Sequence, residues 1–332
     1  MNTNGKTAMK AVVYTEYGPP EVLKLAEVAK PVPEDDEVLI RVHATAANTS
    51  DANVRGFTFV PPGFGLLPRL MFGITAPKKQ IIGVAFAGEI EAVGVIVTRV
   101  QGGDQVFGLT GDDMGAYAEY VCVAEEGFLT TMPAGLSYEE AAAIPFGAHT
   151  ALYFIRNKGQ VQPGQKVLIV GASGSVCSFA VNIAKYFGAE VNVVCITPIV
   201  DMVKELGADR VIDYTTDDVT KNGDTYDVIF DTAGKSSFSG IKDSLKENGL
   251  YLAGAGGLRE FAQMAWTSLS GDKKVIAGQA TELPGDIEFL KELVEAGKMK
   301  PVIGRTYPLE QIVEAHRYLD TGHKRGTVVI TV

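Results

Sequence analysis

The sequence predicts an α/β fold in which a doubly wound parallel sheet follows a β-rich domain. Residues 166–189 read in one run as a buried strand, a glycine turn and a helix. From Ser137 onward, helical patterns alternate with buried strand patterns. Before Pro133 the chain has short alternating segments broken by Gly, Pro and Asp, which are typical of an all-β region.

The glycine turn is the most informative of these elements. Val167 to Val170 is a continuous aliphatic run, as in a parallel strand covered on both faces. The turn Gly171 to Gly174 has almost no side-chain bulk, and apolar residues then recur at helical spacing until Gly188. Free amides at the start of that helix would face an anion placed over the turn. The segment therefore predicts half of a dinucleotide-binding unit, although Cys177 stands where the usual pattern has a third glycine.

The remaining elements complete this plan. We expect further strands at 190–195, 210–213, 226–231, 249–253 and 274–278, with helices such as 201–206 and 237–245 between them. Residues 309–320 read as a helix and residues 327–332 as a strand that returns to the first domain. The predicted domains are 1–132, joined by 300–332, and 133–299.

Composition excludes several classes of function. The 332 residues are 46% hydrophobic and 21% charged, which is ordinary for a globular enzyme or binding protein. The net charge of −10 and the lack of a basic block argue against nucleic acid as a partner. No apolar stretch reaches the length of a membrane span, no leader pattern is present, and there are only three cysteines. We therefore expect a cytoplasmic protein without a membrane partner.

The order of the motifs resembles the medium-chain dehydrogenase/reductase superfamily. After the β-rich region come LSYEEAAAIPFGAHTAL at 136–152, the glycine turn, LGADRVIDY at 206–214 and YDVIFDTAG at 226–234. The sequence is most similar to the zinc-free quinone oxidoreductase and enoyl reductase branch. This resemblance implies a Rossmann sheet plus a GroES-like β-rich barrel domain.

Residue types argue against a catalytic zinc ion. Zinc-dependent members have a cysteine early in the first domain and a Gly-His-Glu segment further on, whereas the corresponding places here are Ala47 to Asp51 and Gly83-Val84-Ala85. Neither place offers a metal ligand, so we expect no metal. Without a Lewis acid, reduction of an already electrophilic quinone or C=C bond is the better candidate reaction.

The resemblance therefore implies a zinc-independent, NADP(H)-linked oxidoreductase that transfers hydride to quinones or α,β-unsaturated carbonyls. Its substrate is a small, apolar electrophile. By resemblance we assign Asn48 and Asp51 to the site, with Arg55 as a partner of the substrate oxygen. An alternative stays open, because an Asn, Ser and Asp cluster after a strand often bonds its own backbone.

Coenzyme contacts are expected along the second domain. No acid and no arginine occurs among Cys195 to Ile199, so the repulsion that excludes a 2′-phosphate is missing and NADP(H) is favoured over NAD(H). The predicted coenzyme residues are Thr150, Gly171, Ser173, Gly174, Ser175, Val176, Cys177, Ile196, Thr197, Tyr214, Ala233 and Ala253.

Three further expectations concern alternatives and assembly. Cys177 together with Ile196, Pro198 and Ile199 leaves open a cofactor-poor binding protein that keeps the fold. The apolar segment 57–77 is either a lid over the substrate or a surface covered by another subunit. By resemblance we expect a homodimer that associates through the sheet edge near 274–278.

Overall fold

The computed structural model describes residues 7–60, 66–171, 174–217, 219, 223–269 and 271–332. The chain forms two compact units. Unit 1 comprises Met1–Phe146, Ile287–Lys291 and Val302–Val332, and unit 2 comprises Gly147–Asp286 and Glu292–Pro301. Segment 133–146 thus groups with unit 1, although its sequence pattern placed it in the second domain.

Strands and helices are numbered in chain order. The strands are β1 (Ala8–Val13), β2 (Lys24–Ala29), β3 (Glu37–Ala47), β4 (Ala85–Val93), β5 (Gln105–Leu109), β6 (Tyr120–Ala124), β7 (Leu129–Thr131), β8 (Lys166–Val170), β9 (Glu190–Cys195), β10 (Arg210–Asp213), β11 (Tyr226–Asp231), β12 (Leu245–Ala253), β13 (Lys274–Ala277), β14 (Ile303–Pro308) and β15 (Thr327–Thr331). The α-helices are α1 (Thr49–Gly56), α2 (Leu66–Phe72), α3 (Tyr138–Ala142), α4 (Pro145–Leu152), α5 (Ser175–Tyr186), α6 (Val200–Glu205), α7 (Phe238–Ile241), α8 (Leu258–Leu269), α9 (Asp286–Glu295) and α10 (Ile312–Asp320).

Unit 1 is built on a seven-stranded sheet. Its strand path is β14-β15-β3-β4-β5-β7, with β6 paired to β3, and β1 and β2 form a separate antiparallel pair. The last strand, β15, pairs antiparallel with β3 in this sheet, with Val328 opposite Ala47. The long strand β3 leads directly into α1, and α1 packs on α10. This packing brings residues from both ends of the chain together.

Unit 2 is the predicted parallel sheet. The strand order is β10-β9-β8-β11-β12-β13, and every neighbouring pair is parallel. This is the doubly wound Rossmann order, in which the chain switches direction between its first and fourth strands, β8 and β11. The second, third and fourth strands have the predicted bounds.

One expected helix in unit 2 is shorter than predicted. The α-helical turn Phe238–Ile241 is followed by a 3-10 turn over Lys242–Ser244, and the chain is already a strand at Leu245. Leu245 is buried in the core under the sheet, which favours the extended conformation there over another helical turn.

No helix in the part of the chain that the structure describes has both the length and the apolar character needed to span a bilayer.

Candidate functional site

Two groups of residues carry the candidate chemistry. The first, the α1 cluster, lies in unit 1 and comprises Asn48, Thr49, Asp51, Arg55, Tyr117, His316 and Lys324. The second, the coenzyme edge, lies in unit 2 at the carboxyl ends of β8 to β12, where ligands of doubly wound sheets bind.

The α1 cluster begins with a cap at the start of α1. Asn48 is extended, and its backbone N–H donates to Asp51 Oδ2 at 2.7 Å. The Asn48 side-chain amide donates to the Ala46 carbonyl oxygen at 3.1 Å. A carboxyl group in the first turn satisfies an orphan amide and complements the positive end of the helix. Asp51 therefore accepts a hydrogen bond from the backbone, which is the alternative that the sequence left open for the Asn, Ser and Asp cluster.

Asp51 is a buried acid, although it lies near the start of a helix. Its side chain is 3% exposed, and the Tyr117 hydroxyl donates to Oδ2 at 3.0 Å. Burial raises the pKa of Asp51 to about 6, while the hydrogen bonds from Asn48 and Tyr117 act in the opposite direction. Asp51 is therefore a carboxyl group that changes its charge close to neutral pH.

Tyr117 joins Asp51 to a fully buried histidine. The Tyr117 oxygen lies 3.2 Å from His316 Nε2, and Arg55 Nη1 lies 2.8 Å from His316 Nδ1. Burial and the Arg55 charge lower the pKa of His316 to about 3, so the ring is neutral near pH 7. Because arginine can only donate, Nδ1 accepts and the proton is on Nε2. The network thus assigns donation from His316 to Tyr117 and from Tyr117 to Asp51.

The structure gives Arg55 partners other than a substrate oxygen. Its Nε donates to the Gly18 carbonyl oxygen at 3.1 Å, its Nη1 to His316, and its Nη2 to Asp320 Oδ2 at 2.7 Å. The side chain is 5% exposed. Three of the five guanidinium N–H groups thus have acceptors within unit 1, and the role of Arg55 toward a substrate oxygen stays a prediction.

A lysine from the C-terminal segment completes the α1 cluster. Lys324 lies between α10 and β15, and its Nζ donates to Thr49 Oγ1 at 2.9 Å. Burial lowers the pKa of Lys324 to about 8, and the nearby charge of Asp51 opposes this shift. The sequence motifs did not single out this residue.

The coenzyme edge begins at the turn after β8. Gly174 is the N-cap of the twelve-residue helix α5, and the first-turn amides of Ser175, Val176 and Cys177 are those for which a helix has no internal acceptor. Gly171 has a φ of +104°, and a Cβ there would lie 2.7 Å from Thr232 Oγ1. The amides at the start of α5 therefore fit a diphosphate group. The predicted contact Ser173 lies outside the described residues.

Cys177 does not behave as the intruding side chain that the sequence suggested. Its thiol is 1% exposed and lies within the layer where α5 packs on β8 and β9. Burial, with a smaller effect of Cys195 on β9, raises its pKa well above the usual range. A small side chain that packs under the helix keeps the backbone amides at the turn accessible to an anion.

A carboxylate lies beside the end of β9, the second strand of the parallel sheet, although the residue that carries it belongs to β10, the third strand. Thr197, just after β9, donates through its hydroxyl to Asp213 at the end of β10. Asp213 also accepts from the backbone N–H of Thr215 at 2.9 Å, and these hydrogen bonds lower the pKa of Asp213. Ile196 is half-buried, and Tyr214 is exposed beside this pair. Sequence reasoning considered only the residues after the second strand and missed this acid.

The loop after β11 is organised by a second buried carboxyl group. Asp231 accepts from the backbone N–H groups of Ala233 at 3.0 Å and Ser236 at 2.7 Å, and from the Tyr251 hydroxyl at 3.2 Å. A cavity of about 60 Å³ lies beside these groups and the end of β12 at Ala253. The predicted contact Thr150 lies in α4 and is half-buried.

The donor set does not fit a zinc ion. In the described part of the chain, no three or more His, Cys, Asp or Glu side chains come together as metal ligands. Asn48 uses its amide on the Ala46 carbonyl oxygen, and Val84 and Ala85 have no donor atom in their side chains. Zinc would need sulfur, imidazole or carboxylate at these positions.

Comparison with known proteins identifies the family. A family model described as "Alcohol dehydrogenase GroES-like domain" matches residues 34–134, and one described as "Zinc-binding dehydrogenase" matches residues 206–330. The chain is 33% identical to a 2-methylene-furan-3-one reductase of Solanum lycopersicum over 97% of this chain and 79% of that protein. The chain belongs to the medium-chain dehydrogenase/reductase superfamily.

Two further similarities refine this assignment within the superfamily. An NADPH-dependent alkenal/one oxidoreductase of Arabidopsis thaliana, described as chloroplastic, is 30% identical over 97% of this chain and 79% of that protein. The solved structure of a quinone oxidoreductase from Coxiella burnetii superimposes with a TM-score of 0.85 at 29% identity, covering 98% of this chain and 99% of that one. Both support the zinc-free quinone oxidoreductase and enoyl reductase branch.

The stability of this superfamily member should depend on pH through His316. In the unfolded chain His316 binds a proton near pH 6.5, whereas the folded protein resists protonation down to about pH 3. The stability that this group contributes is therefore lost as the pH falls below 6.5. Asp51 acts in the opposite sense, because its raised pKa lets the folded state take up a proton first between about pH 6 and 4.

We expect His316→Asn, which retains an acceptor for Arg55 but does not titrate, to cost about 2 kcal/mol at pH 7.5. The cost should shrink as the pH falls to 5, because the variant has no imidazole to protonate on unfolding. Urea unfolding at both pH values measures this difference, and His323→Asn on the surface serves as the control. A cost for His316→Asn that is the same at both pH values would contradict the assignment of a neutral, buried ring.

Proposed function

We propose that the protein is a zinc-independent, NADP(H)-linked oxidoreductase that reduces quinones or α,β-unsaturated carbonyl compounds by hydride transfer. The observation that carries the proposal is the start of α5, whose first-turn amides have no acceptor within the helix, at the carboxyl end of the central strand β8 and at the switch point of the sheet. This is where a Rossmann sheet binds the diphosphate of a dinucleotide.

The names of the relatives support the reaction class. The tomato protein is named as a 2-methylene-furan-3-one reductase, the Arabidopsis protein as an NADPH-dependent alkenal/one oxidoreductase, and the Coxiella protein as a quinone oxidoreductase. The side chains of Asn48 and Ala85 are not zinc ligands, so they would not hold a metal ion that polarises an alcohol. A substrate that is already electrophilic therefore suits this chain better.

The residues of unit 2 divide the work of holding the coenzyme. When it is bound, the reduced nicotinamide supplies the hydride. The amides of Ser175, Val176 and Cys177 would hold the diphosphate, Thr197 and Tyr214 would contact the adenosine ribose, and the backbone at Ala233 and Ala253 would contact the nicotinamide. The other expected contacts are Gly171, Gly174, Ile196 and Thr150. Asp231 fixes the loop that carries Ala233 through its hydrogen bonds.

In unit 1 we propose that the α1 cluster binds the substrate oxygen. Asn48 and Asp51 belong to this site, as the resemblance implies, and the ionisation of Asp51 sets the local charge. Arg55 becomes a positioning residue, because it fixes His316 and, through Tyr117, the carboxyl group of Asp51. This arrangement gives Asp51 one orientation rather than several.

An aromatic group near α1 supports an apolar substrate. Phe57 ends α1 in the left-handed conformation, and its ring lies 4.9 Å from Tyr17 and 5.0 Å from Phe59. Phe59 in turn lies 5.0 Å from Phe72 at the end of α2. We propose that these rings form the apolar surface that the sequence predicts for segment 57–77, of which residues 61–65 lie outside the described part.

The first test concerns the diphosphate site. We expect Val176→Asp to weaken binding of both NADPH and NADH by tenfold or more, because a carboxylate at the start of α5 repels the diphosphate. The same charge stabilises the helix start, so the variant should fold. Coenzyme titration by fluorescence measures the affinity, with Val176→Asn as the neutral control. Consumption of NADPH with a naphthoquinone or an alkenone, before and after EDTA dialysis, measures activity without metal.

Failure of the wild-type protein to bind either coenzyme at millimolar concentration would overturn the proposal. That result would favour the cofactor-poor binding protein that the sequence left open. Loss of activity on EDTA dialysis would contradict the metal-free reaction while leaving coenzyme binding intact.

We propose NADP(H) as the preferred coenzyme, with a narrow margin over NAD(H). The absence of an acid or arginine immediately after β9 and the name of the Arabidopsis relative support this preference. Asp213 reduces the preference for NADP(H), because its carboxylate, which accepts a hydrogen bond from Thr197, repels a 2′-phosphate.

Asp213→Asn tests the role of this acid. We expect NADPH to bind about tenfold more tightly to the variant, while NADH affinity stays within about twofold, because only NADPH carries the 2′-phosphate that the carboxylate repels. Asp217→Asn, an exposed acid in the same loop, should change neither affinity. Equal changes for both coenzymes would show that Asp213 acts on the shape of the loop rather than through charge.

We further propose a cytoplasmic homodimer that associates through the edge of the unit 2 sheet. Strand β13 ends the strand order, and the neighbouring helix α8 exposes Trp266, which is 65% exposed, and Leu269, which is 89% exposed. An edge strand that has one neighbour among the described residues, beside exposed apolar side chains, favours association with a second copy. Sedimentation equilibrium should give twice the chain mass, and Trp266→Glu should give the monomer mass.

A further inference from the structure

Lys324 carries its ammonium group at the start of helix α1, where a positive charge is unfavourable. Its Nζ lies 2.9 Å from the hydroxyl of Thr49, the first residue of α1. The start of a helix carries partial positive charge, so an ammonium there is repelled, and a half-buried ammonium also loses part of its hydration. A cation held at a place that is unfavourable for its charge is typical of a functional position.

The backbone around Lys324 is held in place. Gly326 has a φ of +61°, and a Cβ there would lie 2.2 Å from the Val302 carbonyl oxygen. The backbone N–H of Thr327 donates to the same oxygen at 2.7 Å. On the other side, a Cβ at Gly304 would lie 1.5 Å from the Arg325 carbonyl oxygen. These close approaches fix the path of the chain, so the position of Lys324 is set by the fold of unit 1.

The first turn of α1 offers donors that the described part of the protein does not use. An ammonium has three N–H groups, and Lys324 donates one of them to Thr49. The hydroxyl oxygen of Ser50, in the same turn, is buried and has no hydrogen-bond partner among the described residues. A buried donor without an acceptor is unfavourable unless a ligand supplies one. An oxygen-bearing substrate would do so.

We propose that Lys324 binds the substrate carbonyl and donates the proton that completes the reduction of an enone, with Asp51 as its positioning residue. This inference rests on the proposed function. The hydride forms a C–H bond at the β-carbon, and the electrons of the C=C bond move toward the carbonyl oxygen to give an enolate. A proton then passes from Lys324 Nζ to the α-carbon, and water reprotonates the amine.

The surrounding charges suit this task. Asp51 on α1 is the carboxyl group that acts on Lys324, and it favours the protonated ammonium. Tyr117 and His316 are neutral near pH 7, and Arg55 is directed to His316 and Asp320. In the lysine's own segment, His323 Nδ1 is bonded to the Thr321 carbonyl oxygen. A lysine whose pKa is lowered to about 8 is an acid that can release its proton at near-neutral pH.

Two classes of substrate separate this role from a structural one. An enone needs a proton on carbon, whereas the anion of a reduced quinone takes its proton on oxygen directly from water. We expect Lys324→Met to lower kcat for an alkenone by about 100-fold and kcat for a naphthoquinone by less than about tenfold, because the quinone loses only the contact to its carbonyl oxygen. Lys324→Arg should restore KM for the alkenone but not kcat, because arginine binds oxygen and does not release a proton. Lys24→Met on the exposed face of β2 is the control for loss of one charge.

A stereochemical readout tests the same step independently of rate. With an α-methyl enone, the wild-type protein should give one configuration at the α-carbon, and Lys324→Met should give a mixture because water then protonates both faces. Unchanged configuration, or equal loss of enone and quinone turnover, would overturn the proposal. If the wild-type protein reduces neither substrate and binds no NADPH, the proposed function itself fails, which is a distinguishable result.

Discussion

The structure of unit 1 depends on the burial of one carboxyl group. Asp51 is held by the backbone N–H of Asn48 and by the hydroxyl of Tyr117, and burial brings its pKa to about 6. Tyr117 can point its proton at Asp51 only because neutral His316 donates to its oxygen, and His316 keeps that tautomer only because Arg55 occupies its other nitrogen. The chain of donors thus has a single direction, which fixes both the orientation and the charge state of the acid.

The two candidate sites use different chemical groups of the protein. The coenzyme edge of unit 2 uses backbone amides and a glycine turn, which tolerate changes in neighbouring side chains, and Cys177 illustrates this tolerance because its thiol packs under α5. The α1 cluster of unit 1 uses side chains drawn from distant parts of the sequence, such as His316 and Lys324. A single substitution there changes several hydrogen bonds at once, so its effects on stability and chemistry are coupled.

Much of the architecture was predictable from the sequence, because the strands of unit 2 contain short runs of aliphatic residues that alternate with helical patterns. Strands β9, β10 and β11 have the bounds that the sequence predicts. Helix 237–245 was overextended, because local pattern cannot show that Leu245 is needed by the sheet core. The coenzyme edge was recognised as a motif, but Asp213 was missed because it reaches Thr197 only when two parallel strands lie side by side.

The α1 cluster was predictable only in part, since Asn48 and Asp51 are neighbours in sequence whereas their partners are not. His316 did leave a signal, because it shares one helical face with the buried residues Ile312, Ala315 and Leu319. The most direct test of the account is the ionisation of Asp51, followed by the carboxyl ¹³C signal of aspartate-labelled protein and assigned with Asp51→Asn. The account predicts a midpoint near pH 6. A midpoint near the ordinary aspartate value of about 4 would contradict it, because the carboxyl group would then be solvated rather than buried.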